Sequence, residues 1–442
     1  MRIQSSMSSE NLPMKLSARI FYAFRKTIRA WHLFLIVAGP GILVMVADND
    51  AGGITTYSAT GAKFGYSFIW IILLLIPITY FVQEMTMRLG VVTKRGFAEA
   101  VFEGFGPFWG WFTIVNLLIS CWLTLVSEYI GITAALGIFH VPPWLSVILV
   151  LVIMTTMVST GRYWTWEKIA LLFCILNLIY VPAAIMVHPS VHDVVSNGLI
   201  PHIPGGKLTG GVLLFVMANL GTTICPWMIF FQQSAVVDKG ILRREIPWAR
   251  FETFIGSCIT QSIVSVFIIV LAGTLLYPHT QVESAETAAR WIITHDSPVV
   301  GTCLAIGLMS AGFLGTICIS LASSWSLGEV FGWAHSLNKK VREAPWFYLF
   351  YFFMLATAGL MVLLAKPSTL LTLIIFVQVV AATLLPACMV FLILLCNNKK
   401  MMGSWVNKPI ENVINSINAL IVIVLSSAYN ILVLFPSLMP KD

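Results

Sequence analysis

Residues 39–61 read GPGILVMVADNDAGGITTYSATG, and they place two aspartates, an asparagine and a glycine pair inside an otherwise apolar run. An aspartate at the centre of a membrane helix costs about 2.5–3.5 kcal/mol, so such residues occur mainly where they face a wet cavity or a ligand. The adjacent Gly52 and Gly53 lower the cost of unwinding a helix at this point. The stretch predicts a membrane helix that is broken near its middle.

A second interrupted stretch, ANLGTTICPWMIFFQQSAVVDKG, occupies residues 218–240. Pro226 removes a backbone hydrogen-bond donor, and the flexible polar segment Gly221-Thr222-Thr223 precedes it. Paired interruptions at corresponding positions of two halves indicate the binding site of a transporter. We expect both helices to be broken near the bilayer midplane. The alternative is two kinked packing helices, because Gly and Pro are common in membrane spans.

The composition is that of a membrane protein. The chain has 442 residues, of which 58% are hydrophobic and 10% are charged, whereas soluble domains are about 25% charged. Apolar runs of about 18 residues or more predict membrane helices. About eleven such spans are predicted, at 33–60, 68–90, 108–136, 143–159, 166–187, 210–237, 252–277, 298–330, 346–364, 369–396 and 412–436.

No long soluble domain interrupts these spans, so we expect one transmembrane transport domain at 33–437 behind a cytoplasmic N-terminal segment at 1–32. The N-terminal segment is too polar and too mixed for the apolar core of a signal peptide. Within the transport domain, the two breaks predict one repeat at 33–187 and a second at 210–396, followed by an additional helix at 412–436.

The basic residues are distributed unevenly across the predicted spans. The net charge is +7, and with an internal N-terminus all 26 Lys and Arg residues fall on the inner side except Lys63, Lys207, Arg290, Lys366 and Lys441. The positive-inside rule then predicts a multi-pass protein of the plasma membrane with a cytoplasmic N-terminus and an external C-terminus. The positive charge is a signal of membrane orientation, and we expect no nucleic-acid partner.

Five motifs follow one another along the chain: GPGILV with DAGG at 50–53, RLGVVTK at 88–94, EYIG at 128–131, SAGFLGT at 310–316, and Gln378-Val-Val with Pro386. They are similar to the GPG…DPGN, second-helix, AEVIG, AAGQSST and QVVLSxxLP segments of the Nramp divalent-metal transporters. The chain resembles this family over nearly its whole length. The resemblance implies an all-α membrane protein of the LeuT type, with five-plus-five inverted repeats and broken first and sixth helices.

The departures from the family pattern are informative. The family has Asn where this chain has Gly53, and Met where it has Cys225. Two sixth-helix histidines correspond to Trp227 and Gln232, and a third-helix aspartate corresponds to Leu125. These changes resemble the Nramp-related magnesium transporters, which take up Mg²⁺ without the proton coupling of the Mn²⁺/Fe²⁺ branch.

The resemblance places six positions at the metal: Asp50, Gly53, Ala47, Thr222, Cys225 and Gln378. Asp50 is the carboxylate retained at the family's metal position, and Ala47 and Thr222 contribute backbone carbonyls through water. Gln378 either reaches the ion or makes an interhelical hydrogen bond. Cys225 opens space, because a neutral thiol is a poor Mg²⁺ ligand; a thiolate binding Zn²⁺ or Cd²⁺ is the alternative.

Five further positions are candidates for the permeation path or a gate: Asp48, Asn49, Glu128, Trp227 and Gln232. Asp48 and Asn49 are additional to the family pattern, and Asp48 either concentrates cations or faces water in the access path. Glu128 matches a family carboxylate near the permeation route, with a helix–helix hydrogen bond as the alternative. Trp227 is expected to fill the space of a histidine.

The predicted function is uptake of largely hydrated Mg²⁺ by a uniporter-like monomer in the lipid bilayer, driven by the membrane potential. Mn²⁺ is a second candidate ion, and no resident cofactor is expected. An intramembrane enzyme is not supported, because HExxH, GxSxG and GxxxxGK[ST] motifs are absent. The alternatives are a proton-coupled Mn²⁺/Fe²⁺ transporter and an organic-substrate symporter of the same fold, for which Ser320, Ser323 and Ser324 leave an opening.

Overall fold

The computed structural model of the chain describes residues 39–278, 285–366, 369–435 and 437. Over those residues the secondary structure is helical, without a strand. The predicted N-terminal segment 1–32 and residues 33–38 of the first predicted span lie outside the described residues.

The first half of the described residues forms nine α-helices. They are α1 (Pro40–Ala47), α2 (Ala51–Phe64), α3 (Ile69–Thr93), α4 (Phe97–Phe105), α5 (Pro107–Ile138), α6 (Pro143–Val158), α7 (Tyr163–Leu176), α8 (Tyr180–Met186) and α9 (Val191–Gly198). A single 3₁₀ turn joins α7 to α8, so that the two together form the fifth predicted span.

The second half forms ten more helices. They are α10 (Gly210–Thr223), α11 (Pro226–Lys239), α12 (Ile246–Cys258), α13 (Val266–Leu275), α14 (Ala285–His295), α15 (Pro298–Phe331), α16 (Pro345–Leu364), α17 (Leu370–Asn397), α18 (Lys399–Met402) and α19 (Pro409–Leu434). A π-helical segment, Ile259–Ser265, joins α12 to α13. The short helices α4, α9, α14 and α18 between the spans were not predicted.

Several helix ends have a direct cause in the sequence. Proline occupies the first position of α1, α5, α6, α11, α15, α16 and α19. Its fixed φ and missing N–H suit that position, where the backbone donor would be unpaired. Gly240 and Gly332 end α11 and α15 with φ values of 76° and 67°, a left-handed conformation that glycine adopts without steric cost.

The described helices account for the eleven predicted spans. Nine helices in the described part of the chain are long and apolar enough to cross a membrane. The shorter α6, with 16 residues, and the interrupted α1–α2 pair complete the set. Large apolar side chains on the outer helices are exposed, such as Val152 on α6 and Leu420 on α19. Exposed apolar faces of this kind are suited to contact with lipid.

Both predicted breaks are present. In the first span, α1 ends at Ala47, α2 begins at Ala51, and three residues link them. In the sixth span, α10 ends at Thr223 and α11 begins at Pro226, with the intervening backbone extended. The breaks lie in the interior of the bundle, because every residue from Leu43 to Thr60 is buried.

Candidate functional site

Asp50 is at the centre of the first break. It is the N-cap residue of α2, fully buried, and its Oδ1 accepts a hydrogen bond from the backbone N–H of Gly53 at 2.6 Å. A helix N-terminus favours negative charge, so the fold stabilises a carboxylate at this position. Its Oδ2 is buried without a hydrogen-bond partner among the described residues. One carboxylate oxygen is therefore held by the helix, and the other remains available to a ligand.

Glu128 on α5 brings a second carboxylate to the same helix end. Its Oε2 accepts a hydrogen bond from the backbone N–H of Ala51 at 2.9 Å, and its Oε1 is buried without a described partner. Gly315 on α15 makes this approach possible. A Cβ built on Gly315 would lie 2.7 Å from Glu128 Oε2 and 3.0 Å from Asp50 Cβ. Sequence reasoning did not assign a role to Gly315, because its effect depends on how α15 packs on α2 and α5.

Thr222 and Gln378 approach Asp50 from the other side of the break. A Cβ built on Gly53 would lie 2.7 Å from Thr222 Oγ1 and 3.3 Å from Asp50 Oδ1. A Cβ built on Gly52 would collide with Gln378 Nε2 and lie 3.3 Å from the same Asp50 oxygen. The glycine pair thus leaves room for side chains from α10 and α17 to lie against the N-terminal end of α2.

These convergent side chains are only partly hydrogen-bonded. Thr222 Oγ1 and both polar atoms of the Gln378 amide are buried and have no hydrogen-bond partner in the described part of the chain. Each such atom costs about 1–3 kcal/mol when it stays unsatisfied. Together with the unpartnered oxygens of Asp50 and Glu128, they form a cluster of buried polar atoms, the polar chamber, whose groups are suited to bind water or an ion.

Cys225 lies at the second break, where it is the N-cap residue of α11. Its Sγ donates to the backbone carbonyl of Gly221 at 2.7 Å, within the same span. A thiol in this arrangement acts as a donor to its own helix. Ala47, the remaining predicted contact, is the last residue of α1 and is fully buried.

Asp48 and Asn49 turn toward the π-helical segment of the seventh span. Gln261 Nε2 donates to Asp48 Oδ2 at 3.1 Å, and Ser265 Oγ donates to Asn49 Oδ1 at 2.9 Å. Asn49 Nδ2 donates in turn to the carbonyl of Thr260 at 3.2 Å. The three partners were missed at the sequence level, because a π-helical register has no signature in the apolar pattern.

Trp227 and Gln232 lie on α11, beyond the chamber. Trp227 contacts Phe231 at a centroid distance of 6.3 Å, and Phe231 contacts Trp325 at 5.7 Å and Trp166 at 6.3 Å. These four buried rings form an aromatic cluster. Gln232 lies nearly two turns along α11 from Cys225 and donates from Nε2 to Thr253 Oγ1 at 3.2 Å. Neither side chain belongs to the group that converges on Asp50.

The N-terminal end of α1, away from the break, is held by hydrogen bonds to a buried carboxylate. Glu252 on α12 accepts hydrogen bonds from the backbone N–H groups of Gly39 at 2.5 Å and Ile42 at 3.0 Å. Nearby, Lys239 pairs with Glu167 at 2.8 Å, and both side chains are almost fully buried. These contacts hold α1, α7, α11 and α12 together at the N-terminal end of α1.

The chamber differs from a structural metal centre. Over the residues described here, no group of three or more His, Cys, Asp and Glu side chains is arranged to hold a metal ion. Structural zinc sites, by contrast, surround their ion with four such ligands. The chamber combines two carboxylates with neutral oxygen and amide groups.

Comparison with known proteins identifies the family. The sequence profile of the family described as "Natural resistance-associated macrophage protein-like", Nramp, matches residues 41–432. The chain belongs to the Nramp family. This confirms the predicted resemblance, and it confirms that the chain is a transporter-family member and not an enzyme.

Individual Nramp relatives are distant. The protein named metal transporter Nramp6.2 of Populus trichocarpa is 26% identical over 316 residues, which cover 67% of this chain and 57% of the poplar protein. The divalent metal cation transporter MntH of Bradyrhizobium diazoefficiens is 26% identical over 312 residues, covering 66% of this chain and 67% of that protein. The chain thus spans little more than half the length of the poplar relative.

Solved structures confirm the predicted fold. The manganese transporter of Eremococcus coleocola, crystallised with an aromatic bis-isothiourea substituted compound, has a TM-score of 0.75 at 21% identity, over 90% of this chain and 86% of that one. MhsT in complex with L-phenylalanine has a TM-score of 0.60 at 14% identity, over 87% and 98% of the two chains. The chain is an all-α membrane protein of the LeuT type with broken first and sixth helices.

Proposed function

We propose that this Nramp-family chain takes up divalent metal ions through the plasma membrane and that its main substrate is Mg²⁺. The observation that carries the proposal is the chamber around Asp50, where buried oxygen atoms without a hydrogen-bond partner among the described residues lie near the N-terminal end of α2. The metal is cargo, and we propose no resident cofactor. The proposed topology remains a cytoplasmic N-terminus and an external C-terminus, in a monomer.

The chamber suits an ion that keeps much of its hydration shell. Mg²⁺ prefers oxygen ligands, dehydrates reluctantly and is usually bound through one or two carboxylates together with several waters. Asp50 and Glu128 supply the carboxylates, and Thr222 and Gln378 supply neutral groups that can bind the waters. The absence of a side chain at Gly53 lets Thr222 Oγ1 lie close to the N-terminus of α2, since a Cβ there would be only 2.7 Å from that oxygen.

Both sulfur atoms at the second break are engaged in hydrogen bonds within the protein, since Met228 Sδ accepts from the backbone N–H of Cys225 at 3.3 Å. Transition metals are selected over Mg²⁺ by thioether or thiolate sulfur. Cys225 donates its S–H to the Gly221 carbonyl, and a protonated thiol that is used as a donor is not a metal ligand. This arrangement supports Mg²⁺ over Zn²⁺ or Cd²⁺.

Proton coupling is not part of the proposal. Trp227, Gln232 and Leu125 are buried residues that do not titrate near neutral pH, so they cannot continue a proton path from Glu128. Coupling is also not required energetically. A potential of 100 mV is worth about 4.6 kcal/mol for a divalent ion at about 2.3 kcal/mol per charge. That corresponds to roughly a thousandfold concentration ratio.

The test is ion flux in proteoliposomes that contain a pH dye, under a negative-inside potential. We expect saturable Mg²⁺ entry without internal acidification, weaker Mn²⁺ entry and no comparable Ca²⁺ entry. Ca²⁺ needs six to eight oxygen ligands at about 2.3–2.6 Å, which the chamber does not provide. Saturable Ca²⁺ flux that matches Mg²⁺ flux would contradict a hydrated-Mg²⁺ site.

A second candidate function is proton-coupled Mn²⁺ transport. It is favoured by the names of the relatives, which include MntH and a manganese transporter. The pair of carboxylates at Asp50 and Glu128 could also carry a proton. Internal acidification that follows metal entry and disappears without the protein would favour this function over the first.

A further inference from the structure

A second buried polar cluster lies beside the chamber, between the first break and the π-helical segment of the seventh span. Asp48, Asn49, Thr260, Gln261 and Ser265 form it, and all are fully buried. Asp48 Oδ2 accepts a hydrogen bond from Gln261, whereas Asp48 Oδ1 and Thr260 Oγ1 have no hydrogen-bond partner in the described chain. The proposed uptake mechanism gives no role to this cluster.

Asp48 and Asp50 occupy opposite ends of two helices. Asp50 caps the N-terminus of α2, where the helix dipole and the N–H of Gly53 favour its negative charge. Asp48 is the C-cap residue of α1, where the dipole is negative and the last carbonyl groups of the helix lack intrahelical partners. A carboxylate at that position is disfavoured by its own helix.

No basic side chain in the described part of the chain forms an ion pair with Asp48. None of the ion pairs formed by the described residues includes it. A buried carboxylate without a counter-ion is strongly unfavourable. Gln261 turns its amide N–H toward Asp48 Oδ2, whereas the unpartnered Asp48 Oδ1 and Thr260 Oγ1 are oxygen atoms, the ligands of hard cations.

The π-helical segment adds a further observation. Ser265 Oγ lies 3.1 Å from the carbonyl oxygen of Thr260, five residues earlier, and 3.2 Å from Gln261 Oε1, so it is also within hydrogen-bonding distance of the segment's own acceptors. Segments of this kind are rare and occur frequently at functional sites. Here the segment turns Thr260, Gln261 and Ser265 toward the first break.

We propose that Asp48, with Thr260 and Gln261, forms a second seat for the transported divalent cation, next to the seat at Asp50. The identity of the ion rests on the proposed function. Both seats belong to the three-residue link between α1 and α2, where a single residue separates Asp48 from Asp50. Two divalent ions bound at such neighbouring carboxylates repel strongly, so the seats are occupied in turn as one ion passes the break.

The experiment measures cation binding by thermal stabilisation of the purified full chain, with titrations of MgCl₂, MnCl₂ and, at matched ionic strength, NaCl. The variants are Asp48→Asn, Asp50→Asn and the double variant. The matched control is Glu329→Gln, which removes a buried carboxylate oxygen that accepts from Ser234 at 2.6 Å outside both seats. Mg²⁺ and Mn²⁺ flux is measured in proteoliposomes in parallel.

We expect Asp50→Asn to keep a weaker saturable stabilisation by divalent ions that the double variant loses. Asp48→Asn should lower flux by at least about tenfold, because one charged ligand is lost, while the control stays within about twofold of wild type. Complete loss of divalent binding in Asp50→Asn alone would overturn the second seat. Lowered thermal stability of Asp48→Asn with unchanged divalent affinity and flux would also overturn it, since that result indicates a packing role.

A third result would also overturn it: stabilisation by Na⁺ that Asp48→Asn removes while divalent binding is unchanged. If Mg²⁺ is not the substrate, a different pattern is expected. Wild type would then show Mn²⁺ flux without Mg²⁺ flux, and the dependence of Mn²⁺ binding on Asp48 would still report on the seat.

Discussion

The two helix breaks are built from different chemistry. The first carries Asp48 and Asp50, and its N-cap side chain accepts a hydrogen bond from the backbone. The second carries no charge, and its N-cap residue, Cys225, donates to a backbone carbonyl. The fold therefore concentrates negative charge on one broken helix and leaves the other neutral.

This difference explains how a pseudo-symmetric fold makes an asymmetric site. The charged break attracts the cation, and the neutral break sets the space around it. Gly221 illustrates the second role. Its backbone packs directly on the main-chain carbonyl of Gln378 in α17, and this close packing brings the side-chain amide of Gln378 beside Gly52. We expect substitutions at the first break to change whether ions move, and those at the second to change which ions move.

The largest effect is expected for Asp50→Ala. The remaining neutral dipoles cannot offset the desolvation of a divalent ion, and loss of one member of a buried charge pair costs about 3–5 kcal/mol. At about 1.4 kcal/mol per decade, flux should fall by at least a hundredfold. Proteoliposome flux of a monodisperse variant is the measurement, with Glu329→Gln as the control. Near wild-type Mg²⁺ transport by this variant would refute the assignment of the site.

The next effect is on stability and concerns Gly221→Ala. The added Cβ would overlap the Gln378 carbonyl and lie 3.0 Å from the backbone N of Ala382. Backbone atoms of a packed helix cannot move aside easily, and overpacking costs about 1–3 kcal/mol or more. We expect a clearly lower melting temperature in detergent. Gly104→Ala is the control, because its built Cβ meets the flexible end of the Leu395 side chain at 3.0 Å.

A melting temperature equal to that of wild type in Gly221→Ala would show that α10 and α17 separate readily in the protein. The close packing of the neutral break would then not set the space around the ion.

A smaller change, in selectivity, is expected when an amide is placed at the first break and a thioether at the second, as in the double variant Gly53→Asn with Cys225→Met. The amide and the thioether would demand a partly dehydrated ion, which Mg²⁺ resists and Mn²⁺ accepts more readily. We expect the Mn²⁺ to Mg²⁺ flux ratio to rise by about tenfold, equivalent to about 1.4 kcal/mol. Thr222 Oγ1 must move to admit the new side chain at position 53, since it lies 2.7 Å from the built Cβ.

Thermal stability of the double variant therefore needs to be measured beside flux. A folded double variant with the wild-type Mn²⁺ to Mg²⁺ ratio would mean that selectivity is decided elsewhere.

Sequence reasoning predicted the parts of the site that are local. The carboxylates and glycines of the first break, and Pro226 of the second, lie in apolar runs. Placing such residues inside a membrane span costs free energy, so their presence indicates a function. Gln378 and Glu128 came from the family resemblance, and the structure places both beside the glycines and the N-terminus of α2.

Contacts that depend on packing or on backbone register were not predictable. The role of Gly315 depends on how α15 packs, and the partnership of Asp48 with Gln261 depends on the π-helical register of residues 259–265. The aromatic cluster around Phe231 draws rings from α7, α11 and α15, which are far apart in the chain. Hydropathy patterns predict spans but do not contain such pairings.

The smallest effect is expected for Cys225→Ala, and this variant tests the neutral break most directly. The Sγ is used as a donor to Gly221, so its removal takes away one hydrogen bond and a small buried volume, and no metal ligand. The stability cost should be about 1 kcal/mol, and Mg²⁺ flux should stay within about threefold of wild type, since both carboxylates remain. Cys225→Ser is the matched control, because a hydroxyl can still donate to the same carbonyl.

A loss of flux in Cys225→Ala as large as that in Asp50→Ala would place sulfur among the ligands. Inhibition of wild type, but not of Cys225→Ala, by micromolar Cd²⁺ would lead to the same conclusion, because Cd²⁺ binds a thiolate tightly. Either result would mean that both breaks supply ligands to the ion, and the difference between the breaks would then be one of ligand softness.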